Sequence, residues 1–142
     1  MTNQLEQFNF SNPIQMRWKD MDALGHVNNA TMVTYYEIAR SEYMINACPG
    51  WDWTKNMFLI VNVNANYHSE LPLTATNVKV WVRTAKFGSK SFVLEYLTTS
   101  EKDGKTIIHS SGSTTQVFFD LKDKKSVAVP EWVKEGITKF EG

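Results

Sequence analysis

Hydrophobic and polar positions change period once along this chain, near Asn28. Before that point Ile14, Met16 and Trp18 alternate with Gln15 and Arg17, the period-two pattern of a short strand, and Lys19 to Gly25 breaks it. Beyond it Val33, Tyr35 or Tyr36, Ala39 and Tyr43 recur at helical spacing. No Pro or Gly intervenes until Pro49-Gly50, so a helix is predicted from about Asn29 to Asn46. Asn28 or Asn29 can cap its start, because an Asn side-chain oxygen accepts from a free backbone N–H. Glu37 and Arg40, three apart, share one helix face. The apolar and aromatic residues cover more than one stripe, which predicts helix contacts on several sides.

Alternation returns after the helix. Met57 to Asn66, Val78 to Arg83, Phe92 to Tyr96 and Ile107 to Phe119 read as strands. The turn Lys102-Asp103-Gly104-Lys105 joins the last two. A second turn at Lys122 to Lys125 leads to a short strand at Val127 to Val129, and Pro130 opens a final helical turn or two through Trp132 and Val133. One long helix within a run of strands disfavours a parallel βαβ sheet. The predicted class is α+β, an antiparallel five- to six-stranded sheet curled around one long central helix. The second sheet face needs cover, and the alternating aromatic and Val faces point to a partner subunit that supplies it.

Composition narrows the function classes. At 142 residues the chain has the length of one domain, spanning 1–142, and can build its own core. Fifteen Lys and Arg balance 15 Asp and Glu, which argues against nucleic acid or an anionic membrane as partner. Cys48 is the one cysteine, so an internal disulfide and CxxC chemistry are excluded. Met1 to Phe10 carries Glu6 and no apolar run, unlike a signal peptide, and the expected location is cytoplasmic. Aromatic residues reach 13%, five of them Trp, which suits a large core, an interface or an apolar pocket.

The densest polar cluster is Arg17-Trp18-Lys19-Asp20-Met21-Asp22-Ala23-Leu24-Gly25-His26-Val27-Asn28-Asn29, between strand and helix. Asp20, Asp22 and Gly25 fall on positions one, three and six of a calcium loop. Leu24 and Thr31, however, stand where oxygen and a bidentate Glu are required, so that reading fails. Asp and Asn before a helix also serve simply as caps, and Asp20 can pair with Lys19 or Arg17 at the surface. The catalytic alternative needs only two parts. A carboxylate beside a helix start sits next to free N–H groups that polarise a carbonyl, and it can activate water or attack directly. That suffices for an activated acyl group such as a thioester. The chain has no G-x-S-x-G elbow, P-loop or G-x-G-x-x-G, and its three His show no metal-ligand spacing.

The same segment, followed by Tyr36-Glu37 and Arg40, resembles the signature of hotdog-fold acyl-CoA thioesterases of the 4-hydroxybenzoyl-CoA thioesterase type. The likeness runs from about Ile14 to Trp132 and takes in the turn Phe87-Gly88-Ser89-Lys90-Ser91-Phe92. It implies hydrolysis of an acyl-CoA to a carboxylic acid and free CoA, without metal or cofactor, CoA being part of the substrate. It also implies Asp22 as the catalytic carboxylate, the backbone N–H of Asn29 as the carbonyl-polarising group and His26 as a catalytic partner. Gly25, Val27, Asn28, Lys90 and Ser91 become substrate-binding positions, with Arg83 and Lys86 as further charge. The resemblance further implies a site at a dimer interface in a homodimer or tetramer. His-Val-Asn-Asn also resembles plant acyl-ACP thioesterases, but those carry Asn where this chain has Leu24. A non-catalytic acyl-CoA or lipid-binding module on the same fold is the competing reading, and a hotdog hydratase a third.

Overall fold

The alternating segments pair into one antiparallel sheet, and the helical segment lies against one of its faces. The computed structural model describes residues 2–142; Met1, which opens the segment compared with a signal peptide, lies outside the described residues. In chain order the elements are α1 (Thr2–Leu5), β1 (Phe10–Pro13), a 3-10 turn (Trp18–Asp20), α2 (Asn29–Ala47), β2 (Phe58–Tyr67), β3 (Thr76–Phe87), β4 (Ser91–Lys102), β5 (Lys105–Asp120), β6 (Lys125–Ser126) and α3 (Glu131–Glu141). The six-stranded sheet has the order β1-β3-β4-β5-β2, with β6 paired to β5. This is the expected α+β hotdog arrangement.

The core follows from side-chain period. On β3 Val78, Val80 and Val82 point one way, and on β4 Phe92, Leu94 and Tyr96 do the same. They meet Met32, Tyr35, Tyr36, Ala39, Tyr43, Met44 and Ala47, which share one face of α2 at spacings of three and four. Each such aliphatic or aromatic side chain contributes about 1.5–3 kcal/mol by leaving water. The Tyr36 and Tyr96 rings stack with centroids 4.5 Å apart. α2 therefore makes its contacts on one broad face, not on several sides; Ile38 and Ile45 on the opposite face are exposed.

Four sequence expectations need correction. The first strand is β1, four residues upstream of Ile14. It is an edge strand that tolerates Pro13, and past it the Ile14 N–H still donates to Val78 O at 2.9 Å. Trp18 is 81% exposed, so the Ile14–Trp18 alternation belongs to a segment leaving the sheet. The last strand is the two-residue β6, and Val127 and Val129 make separate bonds to Phe118 O and Ser89 O. The final helix runs 11 residues, because Val133 and Ile137 recur at helical spacing and are buried. Finally, the aromatic and Val faces of the sheet turn inward onto α2. The outer face carries Glu95, Ser111, Ser113, Asn64 and Asn66, and its apolar part is covered by the chain's own N-terminal segment through Phe8 and Leu5 on Leu97, Ile108 and Trp81. β2 remains an open edge with a bulge between Ile60 and Asn62 and with Leu59, Val61 and Val63 exposed. Among the described residues no helix is long and apolar enough to cross a membrane.

Gly112 on β5 packs directly against Tyr36 of α2. A β-carbon there would lie 2.7 Å from a Tyr36 ring carbon and 2.4 Å from Asn64 O. Gly112→Ala is expected to destabilise the fold by about 1–3 kcal/mol through overpacking, read as a lower midpoint in denaturant unfolding; an unchanged midpoint would show that the Tyr36 stack is not tightly held.

Candidate active site

The strand-to-helix segment is built around a buried carboxylate. Asp20 ends the 3-10 turn and is 3% exposed. Its Oδ2 accepts from the Arg17 N–H at 3.0 Å and from the Tyr35 hydroxyl at 2.8 Å, and its Oδ1 accepts from the Arg17 guanidinium at 3.0 Å. Its main-chain oxygen accepts from the Asn28 N–H at 3.0 Å. The pairing with Arg17 was legible in sequence, but the position is interior, not surface, because Tyr35 reaches it from the buried face of α2. Burial pushes the Asp20 carboxyl up, yet the Arg17 amide, the Tyr35 hydroxyl and the Arg17 guanidinium outweigh it and hold it below its ordinary 3.8.

Asp22 follows on a tight turn. Its N–H donates to His26 O at 2.8 Å, its carbonyl accepts from the Gly25 N–H at 3.0 Å, and its Oδ1 accepts from the Leu24 N–H at 2.9 Å and the His26 N–H at 3.3 Å. Gly25 takes φ +80, a left-handed conformation that a side chain resists. Gly25 thus shapes the turn. The bonds found for the Asp22 side chain all fall on Oδ1; Oδ2 of this exposed residue has no hydrogen-bond partner among the described residues. The Val27 N–H donates to Leu71 O at 2.8 Å, which ties the turn to the segment beyond β2.

The start of α2 comes next. The Asn28 side chain caps it by accepting from the Ala30 N–H at 2.8 Å, so both its amide and its side chain are committed within the chain. The Asn29 N–H, first in the helix, has no acceptor among the described residues, as helix geometry requires. Tyr67 at the end of β2 donates its hydroxyl to Asn29 O at 2.9 Å and fixes this turn to the sheet.

Asp22, His26, Val27 and Asn29 line one cleft of ≈340 Å³ together with Met32, Tyr67, His68, Glu70 and Leu71. The His26 ring faces Glu70, Nε2 to carboxylate 3.3 Å, while its amide and not its ring contacts Asp22. Tyr67, His68 and Glu70 were not picked out from sequence; Tyr67 lies one residue past the predicted end of its strand, and only the pairing Tyr67 to Ser110 in the sheet brings it to α2. Among the described residues no three His, Cys, Asp or Glu side chains gather as metal ligands would.

Lys90 and Ser91 lie elsewhere in the chain. They belong to the β3–β4 turn, where Lys90 O accepts from the Phe118 N–H and Ser91 pairs with Val117. Phe118 pairs with Phe58 at the start of β2, whereas the cleft sits at Tyr67, its end. The ten residues of β2 separate the two by about 30 Å. Lys86 is exposed near this turn, and Arg83 is engaged with Glu95 at 2.7 Å on the outer face.

The chain is similar to known proteins over most of its length. The family described as the Thioesterase-like superfamily matches residues 16–137. The chain is 28% identical over 124 residues to the long-chain acyl-CoA thioesterase FadM of Escherichia coli, covering 86% of this chain and 92% of that one. It is 27% identical over 90 residues to the uncharacterised protein YsmA of Bacillus subtilis, covering 63% of this chain but only 60% of YsmA, less than two thirds of that protein's length. Among solved structures, a thioesterase of Thermus thermophilus complexed with coenzyme A and Zn superposes with a TM-score of 0.83 at 30% identity, covering 96% of this chain and 97% of that one.

The depressed Asp20 carboxyl has a defined pH signature. A group whose native pKa lies below its unfolded value stabilises the fold above the unfolded pKa, and that contribution is lost as the pH falls through the native one. Asp20→Asn is expected to cost about 1–3 kcal/mol at neutral pH and to flatten the loss of stability below about pH 4. Parallel urea titrations from neutral to acid pH check this; identical pH profiles for the two proteins would contradict it.

Proposed function

The chain belongs to the thioesterase-like superfamily and is a thioester hydrolase of the acyl-CoA type, and we propose that Asp22 and the Asn29 amide carry its reaction. The observation that carries this reading is one cleft lined by an exposed carboxylate and by the unpaired N–H at the start of a 19-residue helix. In this reading the thioester carbonyl oxygen accepts from the Asn29 N–H, whose donor strength is raised by the positive end of the helix dipole. Asp22 Oδ2 takes a proton from water as that water attacks the carbonyl carbon, or attacks the carbon itself. The oxyanion collapses, the C–S bond breaks, and the thiolate of CoA leaves and gains a proton; attack by water leaves the carboxylic acid directly, whereas attack by Asp22 leaves a mixed anhydride that a water then hydrolyses to the acid, freeing Asp22. The two N–H groups on Asp22 Oδ1 hold the carboxylate in one orientation. His26 and Glu70 form the polar wall of the site, Val27 its apolar base, and no cofactor is consumed.

We place the CoA on a second copy of the chain. The open edge of β2, with Leu59, Val61 and Val63 exposed, supports strand addition. Antiparallel pairing of two β2 edges about a two-fold axis sets the Phe58 end of one strand against the Tyr67 end of the other. That pairing brings the partner copy's Lys90–Ser91 turn to the Asp22 cleft, which one chain alone cannot do across about 30 Å. Lys90 and Lys86 then serve the CoA phosphates, with two hotdog domains, each spanning residues 1–142, forming the working unit. A non-catalytic binding module on this fold needs neither the oriented carboxylate nor the free helix-start amide.

Asp22→Asn is expected to lower kcat about 10²–10⁴-fold with little change in unfolding midpoint, and Lys90→Glu to raise KM for acyl-CoA. Each is inactive or impaired as a homo-oligomer. Co-refolded together they should regain activity well above the sum of the two, because one site of each mixed dimer keeps both Asp22 and Lys90. Full activity of Asp22→Asn would refute the catalytic assignment, and a mixture no better than its parents would refute the shared site.

A further inference from the structure

A cavity of ≈600 Å³ opens between the segment following β2 and the β4–β5 hairpin, beside the Asp22 cleft. The two spaces share Ser69 and Glu70 in their walls. Pro72 and Ile107 give the cavity apolar surface, and the buried pair Ser100 and His109 lies at its floor. Its size lies in the range of small-molecule sites, about 300–1,000 Å³.

The polar floor is closed on itself. Ser69 Oγ–H donates to Ile108 O at 3.0 Å, which makes Ser69 Oγ the acceptor for His109 Nδ1–H at 3.1 Å. Assigned this way, His109 Nε2 accepts from Ser100 Oγ–H at 2.7 Å. Every polar hydrogen of the chain is spent inside it. Burial also holds the His109 ring below its ordinary pKa, which favours the uncharged imidazole. At the rim Glu70, Glu101 and Asp103 outnumber Lys102. A phosphate would meet carboxylates here and no free donor on the floor. An alkyl or aryl group would meet apolar walls and a floor that asks nothing of it.

We propose that this cavity holds the acyl group of the thioester cleaved at Asp22, with CoA leading away in the opposite sense toward the basic β3–β4 turn of the second copy. The inference rests on the assignment of the Asp22 cleft and adds the direction of the substrate across it. From a carbonyl on the Asn29 N–H, the acyl chain crosses Ser69 beside Glu70 and lies over Ile107. Short acyl groups end before the cavity; longer ones gain about fourfold in affinity for each methylene it buries.

Binding is measured by titration calorimetry with non-hydrolysable thioether analogues of acetyl-CoA and dodecanoyl-CoA, alongside hydrolysis of the two thioesters. Ile107→Trp and Thr74→Trp narrow the cavity from opposite walls, and thermal unfolding checks that each variant is folded. Both folded variants are expected to bind the dodecanoyl analogue at least tenfold more weakly while binding the acetyl analogue within twofold of wild type, with the same length-selective loss in kcat/KM. Should one variant fail to fold, the other decides. An equal loss for both analogues, or no loss, overturns the acyl assignment. Asp22→Asn in the same titrations separates the two claims: it should keep the length dependence of binding while losing hydrolysis at every length. Hydrolysis that survives Asp22→Asn would overturn the catalytic assignment and leave the binding result to decide the cavity.

Discussion

The site depends on one buried carboxylate that does not itself face the cleft. Asp20 gathers Arg17 on its own turn, Tyr35 from the core face of α2 and, through its main-chain oxygen, the Asn28 amide at the helix start. A carboxylate taken out of water is costly unless its oxygens are bonded, and here both are. The result is a fixed geometry at each end of the segment 21–28. Between those ends the chain has little freedom left, so Asp22 and the first amide of α2 are held on the same side. The exposed carboxylate is set by the buried one two residues before it.

The sheet supplies the second constraint. Val27 is tied to Leu71 and Tyr67 to Asn29, so the helix start is fixed to the far end of β2. Inside, the Tyr36–Tyr96 stack against Gly112 sets how close α2 lies to the sheet. These contacts place the cleft at one end of an edge strand and the basic turn at the other. An edge strand invites antiparallel addition of its own copy, and in the proposed dimer that operation would turn the separation within one chain into proximity between two. The zero net charge of the sequence then has a local structure: carboxylates ring the cavity beyond the cleft, and lysines mark the distant turn.

Much of the fold was legible because alternation and helical period are strong signals. The span of α2, the strands β2 and β5 and the turn at Lys102–Lys105 lie close to their expected bounds, whereas β3 and β4 run 12 residues each, well beyond the alternation at Val78–Arg83 and Phe92–Tyr96. The weak points share a physical cause. β1 and β6 are short edge pairings set by their neighbours, so their own residues carry little pattern. The cover on the outer face comes from Phe8 in a polar-looking N-terminal segment, which no local period marks as packed. At the candidate site, the position of Asp22 and Gly25 in the turn and of Asn29 at the helix start was legible because turn chemistry and the helix start are local. The burial of Asp20 was not, because it depends on Tyr35, and Tyr67 and Glu70 reach the helix start from β2 and the segment after it, Tyr67 lying 38 residues beyond Asn29. The separation of Lys90 from Asp22 is a property of sheet register, which one sequence does not display.

In the proposed reaction the thioester carbonyl lies between the Asp22 carboxylate and the Asn29 amide. The most direct measurement is a crystal structure of the protein with a non-hydrolysable acyl-CoA thioether ketone analogue. In that complex the analogue's carbonyl oxygen is expected about 2.7–3.1 Å from the Asn29 nitrogen and its carbonyl carbon either about 3–3.5 Å from Asp22 Oδ2 or separated from it by one ordered water. A carbonyl bound away from the start of α2, or turned from Asp22 with neither contact, would contradict it.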